Sequence, residues 1–139
     1  MTRDEKKEYL RRYMRINREI DRLLAEKERW KDLALKVTPT YSDMPKGSHS
    51  GADRVQNAIE KIDEIERMID EKIDTLVDLR KEIETILNRI QDSRQKEVLH
   101  RRYILGQKWE QIAAQMHIDI RWIYRIHKNA LQKLTMESH

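Results

Sequence analysis

Residues 109–134 read WEQIAAQMHIDIRWIYRIHKNALQKL, and their spacing decides what the C-terminal third of this chain is. Ile112, Ala113 and Met116 are followed by Ile118, then by Ile123 and Ile126. One continuous helix advances about 100° per residue, so the steps of six and five between Ile112, Ile118 and Ile123 would scatter them around its circumference. Two helices joined by a tight turn bring them together. Ala113 is small where the second helix crosses, Ile118 plugs the space between the two, and Ile123, Ile126, Ala130 and Leu134 face inward. Asp119 is a good N-cap for the second helix. His117 stands where such turns often carry Gly, and His is among the few other residues enriched in left-handed backbone. The pattern is that of a helix-turn-helix, with a plain helical hairpin as the competing reading.

With that inward face assigned, the last helix presents Arg121, Tyr124, Arg125 and Lys128 outward. Arginine can donate two hydrogen bonds to a guanine edge, and a lysine further along suits a phosphate. Arg121, Tyr124 and Arg125 are therefore candidate base contacts and Lys128 a candidate phosphate contact; the competing reading is an ordinary solvated helix face. Gln107, Lys108 and Trp109 open the preceding helix, where free N–H groups and the helix dipole favour phosphate. Trp109 fits a core position equally well. Trp122 either touches DNA or packs on the preceding segment. His100, His127 and His139 have no carboxylate or cysteine at ligand spacing, which argues against a metal site.

Upstream of this module the chain is built for long helices. From residue 53, Val55, Ile62, Ile69, Leu76, Ile83 and Ile90 recur seven apart, with Ala58, Ile65, Lys72, Leu79 and Ile86 three residues on. That is a coiled-coil seam, on a helix about 57 Å long. In residues 1–37, Tyr9, Tyr13, Ile16, Ile20, Leu23, Trp30, Ala34 and Val37 form a matching stripe. Between them TPTYSDMPKGSHSGA, residues 38–52, holds both prolines and two of the three glycines and breaks the period. A lone seam would leave its stripe in water, so the first helix is expected to fold back antiparallel onto the second. A second apolar row, Leu10 and Leu24 with Ile59, Ile73 and Leu87, points to a homodimer or higher oligomer through the same stalk. Asp92 or Ser93 caps a further helix, RQKEVLHRRYI, which Gly106 ends.

Charge separates the parts. Lys and Arg against Asp and Glu number 12 to 8 in residues 1–37, 7 to 12 in 53–92 and 9 to 4 in 93–139, so a polyanion would be met at the C-terminal end. The chain has no Cys and no Phe, and 39% of its residues are charged. These features exclude a disulfide framework and argue against a broad globular core. No run approaches the roughly 18 apolar residues of a membrane span, and the first residues lack a signal-peptide core, so a cytoplasmic protein is expected. Neither a glycine-rich phosphate loop nor a nucleophile with its base is present, so the expectation is a non-enzyme without cofactors.

The stretch QKEVLHRRYILGQKWEQIAAQMHIDIRWIYRIHKNALQKL resembles region 4 of sigma-70-type factors, through EVL at 97–99, RY at 102–103, EQIA at 110–113 and ALQKL at 130–134. Asp119 replaces the usual serine, which a capping role tolerates. Over nearly its whole length the chain is similar to small phage and prophage proteins of Gram-positive bacteria, a domain of unknown function related to late-gene regulators. The segments that carry this likeness are TPTYSDMPKGSHSGADRVQNAIEKID, RRYILGQKWEQIA and RIHKNALQKL. The resemblance implies promoter recognition on double-stranded DNA, with host RNA polymerase as a further partner.

The sequence thus predicts an all-α protein: a long antiparallel hairpin or coiled coil (helix 1–37, linker 38–52, helix 53–92) followed by a helix-turn-helix domain at 93–139. A sequence-specific transcription regulator is the leading function. A DNA-packaging protein of small-terminase type and a purely structural coiled coil are the alternatives.

Overall fold

The computed structural model describes residues 1–36 and 51–136. Five α-helices occupy them: α1 (Arg3–Lys36), α2 (Gly51–Asn88), α3 (Ser93–Leu99), α4 (Trp109–Met116) and α5 (Ile120–Lys133). A π-helical turn, His100–Ile104, continues α3, and there is no strand among the described residues. No helix among them is long and apolar enough to cross a membrane. Residues 38–50 of the expected linker, Val37 and His139 lie outside the described residues. Gly51 and Ala52, expected in the linker, are helical, so the second long helix starts two residues before Asp53.

Local chemistry explains the helix starts. Thr2 and Glu5 form a reciprocal cap on α1: the Glu5 N–H donates to Thr2 Oγ1 at 3.1 Å, and the Thr2 N–H donates to Glu5 Oε1 at 3.0 Å. Asp92 Oδ1 accepts from the N–H groups of Arg94 and Gln95 at 2.9 and 3.0 Å and so starts α3. Where a continuous helix was expected through residue 104, the chain widens instead, and Leu105 N–H reaches back five residues to the His100 carbonyl at 3.1 Å. Gly106 then turns with φ +70°, and a Cβ there would come within 2.5 Å of Met14 Cε. The left-handed backbone favours glycine at this position, whereas the Met14 methyl is the end of a flexible side chain that can give way.

The described chain divides into two compact units. In the first, Arg18–Thr75, the buried side chains are Ile20, Ala58, Ile65 and Ile69. Glu19 pairs with Lys72 at 2.7 Å and Lys27 with Glu66 at 3.0 Å, so contacts advance along one helix as they retreat along the other. Lys72 occupies a seam position of the heptad without interrupting it, because its long stem carries the ammonium out to Glu19. Leu24, Ile59 and Ile73 remain 40–46% exposed.

The second unit joins Met1–Asn17 to the chain from Leu76 onward. Its larger core gathers Leu10 and Tyr13 of α1, Leu79, Ile83, Ile86 and Leu87 of α2, then Leu99, Tyr103, Ile104, Ala130, Leu131 and Leu134. Here the expected second apolar row needs correcting. Leu10 and Leu87 are 0% and 2% exposed, because the C-terminal helices cover them, and only Leu24, Ile59 and Ile73 of that row face solvent. A smaller core, Val98, Ile112, Ile123 and Ile126, is flanked by Trp109, Ala113, Met116 and Ile118. It contains the apolar side chains whose spacing across residues 112–126 is irregular for one helix.

Candidate nucleic-acid interface

Three residues separate α4 from α5, and their backbone closes one helix and opens the next. His117 adopts φ 56°, ψ 43°, the left-handed conformation. Its N–H reaches the Ala114 carbonyl at 3.3 Å, and the Ile118 N–H reaches the Ala113 carbonyl at 3.1 Å. Those two bonds, with Ile118 and Ala113 packed on one core, make a Schellman ending. Asp119 Oδ1 then accepts from the Arg121 N–H at 2.8 Å and caps α5. The turn is therefore a helix stop followed directly by a helix start.

In α5, Ile123, Ile126, His127, Ala130 and Leu131 are buried. At about 100° per residue this leaves Arg121, Arg125, Lys128 and Gln132 centred on the opposite face. All four are exposed, and the Arg121 side chain is 89% exposed. Gln132 was not picked out from the sequence; the seven-residue step from Arg125 is the signal that would have found it. Trp122 faces outward, 48% exposed, with the Arg125 guanidinium 5.3 Å from its ring centroid. This stacking braces one of the two arginines at the start of the face.

Tyr124 sits on the flank of α5 rather than at the centre of its outward face. It is 46% exposed, and its ring meets Trp109 edge-on at 5.4 Å. Trp109 is half-buried against the smaller core, with His127 4.6 Å from its ring and the Arg102 guanidinium stacked over it at 4.4 Å. Of the two readings open for Trp109, the packing one describes its surroundings. Gln107 is committed as well. Its side-chain amide donates to Gln115 Oε1 at 3.0 Å and accepts from Arg101 at 3.3 Å, while its carbonyl accepts from Arg102 at 3.0 Å. Lys108 is exposed at the first turn of α4, and its backbone N–H donates to Gln111 Oε1 at 3.4 Å. The ammonium has no lone pair with which to return a cap, so its charge stays in solvent.

Behind this surface lies a polar pair absent from the sequence reading. Tyr103 and His127 are 3% and 8% exposed, and the Tyr103 hydroxyl and His127 Nε2 hydrogen-bond at 2.8 Å. Burial pushes His127 down to about 4, helped by the nearby cations Lys7, Arg102, Arg11 and Arg3. Burial raises the Tyr103 phenol, against the pull of Arg11 and Arg102. The pair is therefore neutral near pH 7 and ties the π-helical turn to α5. Among the described residues no group of three His, Cys, Asp or Glu is arranged to hold a metal ion.

No family model, curated protein or solved structure matches the chain.

Proposed function

We propose that this chain is a non-enzymatic, sequence-specific double-stranded DNA-binding transcription regulator of the phage sigma-like kind. In this reading α4 and α5 are a helix-turn-helix with α5 in the major groove, and α1 and α2 are an antiparallel hairpin through which two copies pair. Arg121 and Arg125 read base edges, Tyr124 adds a contact from the flank, and Lys128 and Lys108 hold phosphates. Gln107 and Trp109 support the surface from behind. Host RNA polymerase is a further partner, met in the bacterial cytoplasm.

One observation carries the reading. The Schellman stop at His117 and the Asp119 cap orient α5 so that its apolar side is buried while two arginines and a lysine converge on its solvent side. A structural coiled coil has no need of that arrangement.

Fluorescence anisotropy on duplex DNA tests it. With about 4–6 phosphate contacts, log affinity is expected to fall against log salt with a slope of about −4 to −5. Arg125→Ala is expected to cost about 1–3 kcal/mol on the preferred sequence and to flatten discrimination, whereas Lys128→Ala weakens every duplex alike. Salt-independent affinity, or two silent substitutions, would overturn the assignment. Genomic occupancy then distinguishes the roles: promoters mark a regulator, and a single packaging locus marks an assembly protein.

A further inference from the structure

We propose that the N-terminal helix is itself part of the DNA grip: Arg3, Lys7 and Arg11 of α1, with Arg102, form a cationic flank beside Lys128 that binds the phosphates bordering the groove read by α5. This rests on the DNA-binding reading and extends it to a segment about 120 residues away in sequence.

The flank is built rather than incidental. Arg3, Lys7 and Arg11 recur every four residues, so they share one stripe of α1, while Leu10 and Tyr13 turn into the core. Lys6 fastens the helix in place: its ammonium donates to the Leu131 carbonyl in the last turn of α5 at 2.8 Å. A single hollow is consequently lined by Arg3 and Lys7 from α1 and by His127, Lys128 and Leu131 from α5. Asp4 is the one acidic residue lining it. Arg102 lies on the same side, held flat on Trp109 and hydrogen-bonded to the Gln107 carbonyl.

These cations are not spent on each other's neighbours. Among the described residues, Arg3, Lys7, Arg11, Arg102 and Lys128 have no carboxylate within ion-pair distance, whereas Arg15, Lys27 and Lys31 of α1 are paired with Glu8, Glu66 and Glu28. His127 senses them together, since Lys7, Arg102, Arg11 and Arg3 all disfavour its protonation after burial has done so. Concentrating like charge without counter-charge is unfavourable in the free protein, and a polyanion relieves it. Double-stranded DNA fits best because the flank borders the helix face that would enter its groove, where a phosphate strand must pass.

The full chain and a mixed-sequence 30-base-pair duplex, read by anisotropy across a salt series, test the proposal. Arg3→Gln/Lys7→Gln/Arg11→Gln is expected to make the log–log salt slope shallower by about 2.7, since each lost phosphate contact removes about 0.9. Arg22→Gln/Arg29→Gln/Lys36→Gln removes the same charge elsewhere on α1 and should leave the slope near wild type. Arg3→Lys/Arg11→Lys should retain it. If circular dichroism shows the first triple variant unfolded, Lys7→Gln alone is used and should lose about 0.9. Equal slopes for the two triple variants, or no change on Lys7→Gln, overturn this proposal and leave the reading face of α5 standing. A wild-type chain that binds no duplex overturns both.

Discussion

His127 shows how one side chain can be placed by forces that its local sequence does not advertise. In the sequence it is one histidine among charged neighbours; in the fold it is 8% exposed, bonded to Tyr103 and facing Lys7, Arg3, Arg11 and Arg102. Its folded pKa of about 4 lies below the ordinary value near 6.5, so the unfolded chain takes up the proton first. Stability from the neutral imidazole is therefore complete above pH 6.5 and is lost as pH falls from there towards 4. The loss can reach about 3 kcal/mol. Urea titrations of wild type and His127→Gln at pH 7.5 and 4.5 check this, because carboxylates common to both proteins cancel in the difference. Wild type should lose most of its advantage over the variant at pH 4.5; an unchanged difference would place His127 in a wet, protonatable site.

The turn between α4 and α5 is the element whose reading depended least on the rest of the fold. A left-handed stop, an apolar plug and an N-cap occupy successive positions at His117, Ile118 and Asp119, and each has a local signature. His tolerates positive φ, but a β-branched residue does not. His117→Val is expected to lower stability by about 1–2 kcal/mol, and Asp119→Ala by about 1 kcal/mol. Thermal unfolding followed at 222 nm measures both, and costs near zero would mean that the turn is looser than described. By contrast, the π-helical turn at His100–Ile104 was not legible: a five-residue bond leaves the apolar spacing of EVLHRRYI almost as an α-helix would. The face of α5 was legible as basic, yet Tyr124 was placed a quarter-turn too near its centre: one residue after buried Ile123 it lies only about 100° from the buried side, where its ring meets Trp109.

At the scale of the molecule, the exposed Leu24, Ile59 and Ile73 are the apolar side chains of the predicted second row that this chain leaves uncovered. Three residues of that size exposed among charged helix faces are consistent with the proposed pairing of two copies. Sedimentation of the full chain should give a dimer or larger species, and Leu24→Glu/Ile59→Glu/Ile73→Glu should shift it to monomer. A wild-type monomer would remove the stalk from the proposed assembly and leave each proposed helix-turn-helix to bind DNA weakly alone.

Helical class, the heptad spacing of α2 and the stop at His117 all follow from spacing within a few turns of chain, because periodicity, caps and left-handed turns are local consequences of backbone geometry. The assignment of Leu10 and Leu87 to a solvent-facing row failed for a different reason. Which of two apolar stripes becomes core depends on what arrives to cover it, and the cover here is Leu99, Tyr103, Ile104 and Leu131, far along the chain. The same packing sets Arg3 and Lys7 beside Lys128, with Arg11 near enough to His127 to act on its charge. Hydrophobic burial is non-directional and indifferent to sequence separation, so only the tertiary structure brings the first helix to the cationic surface of the last.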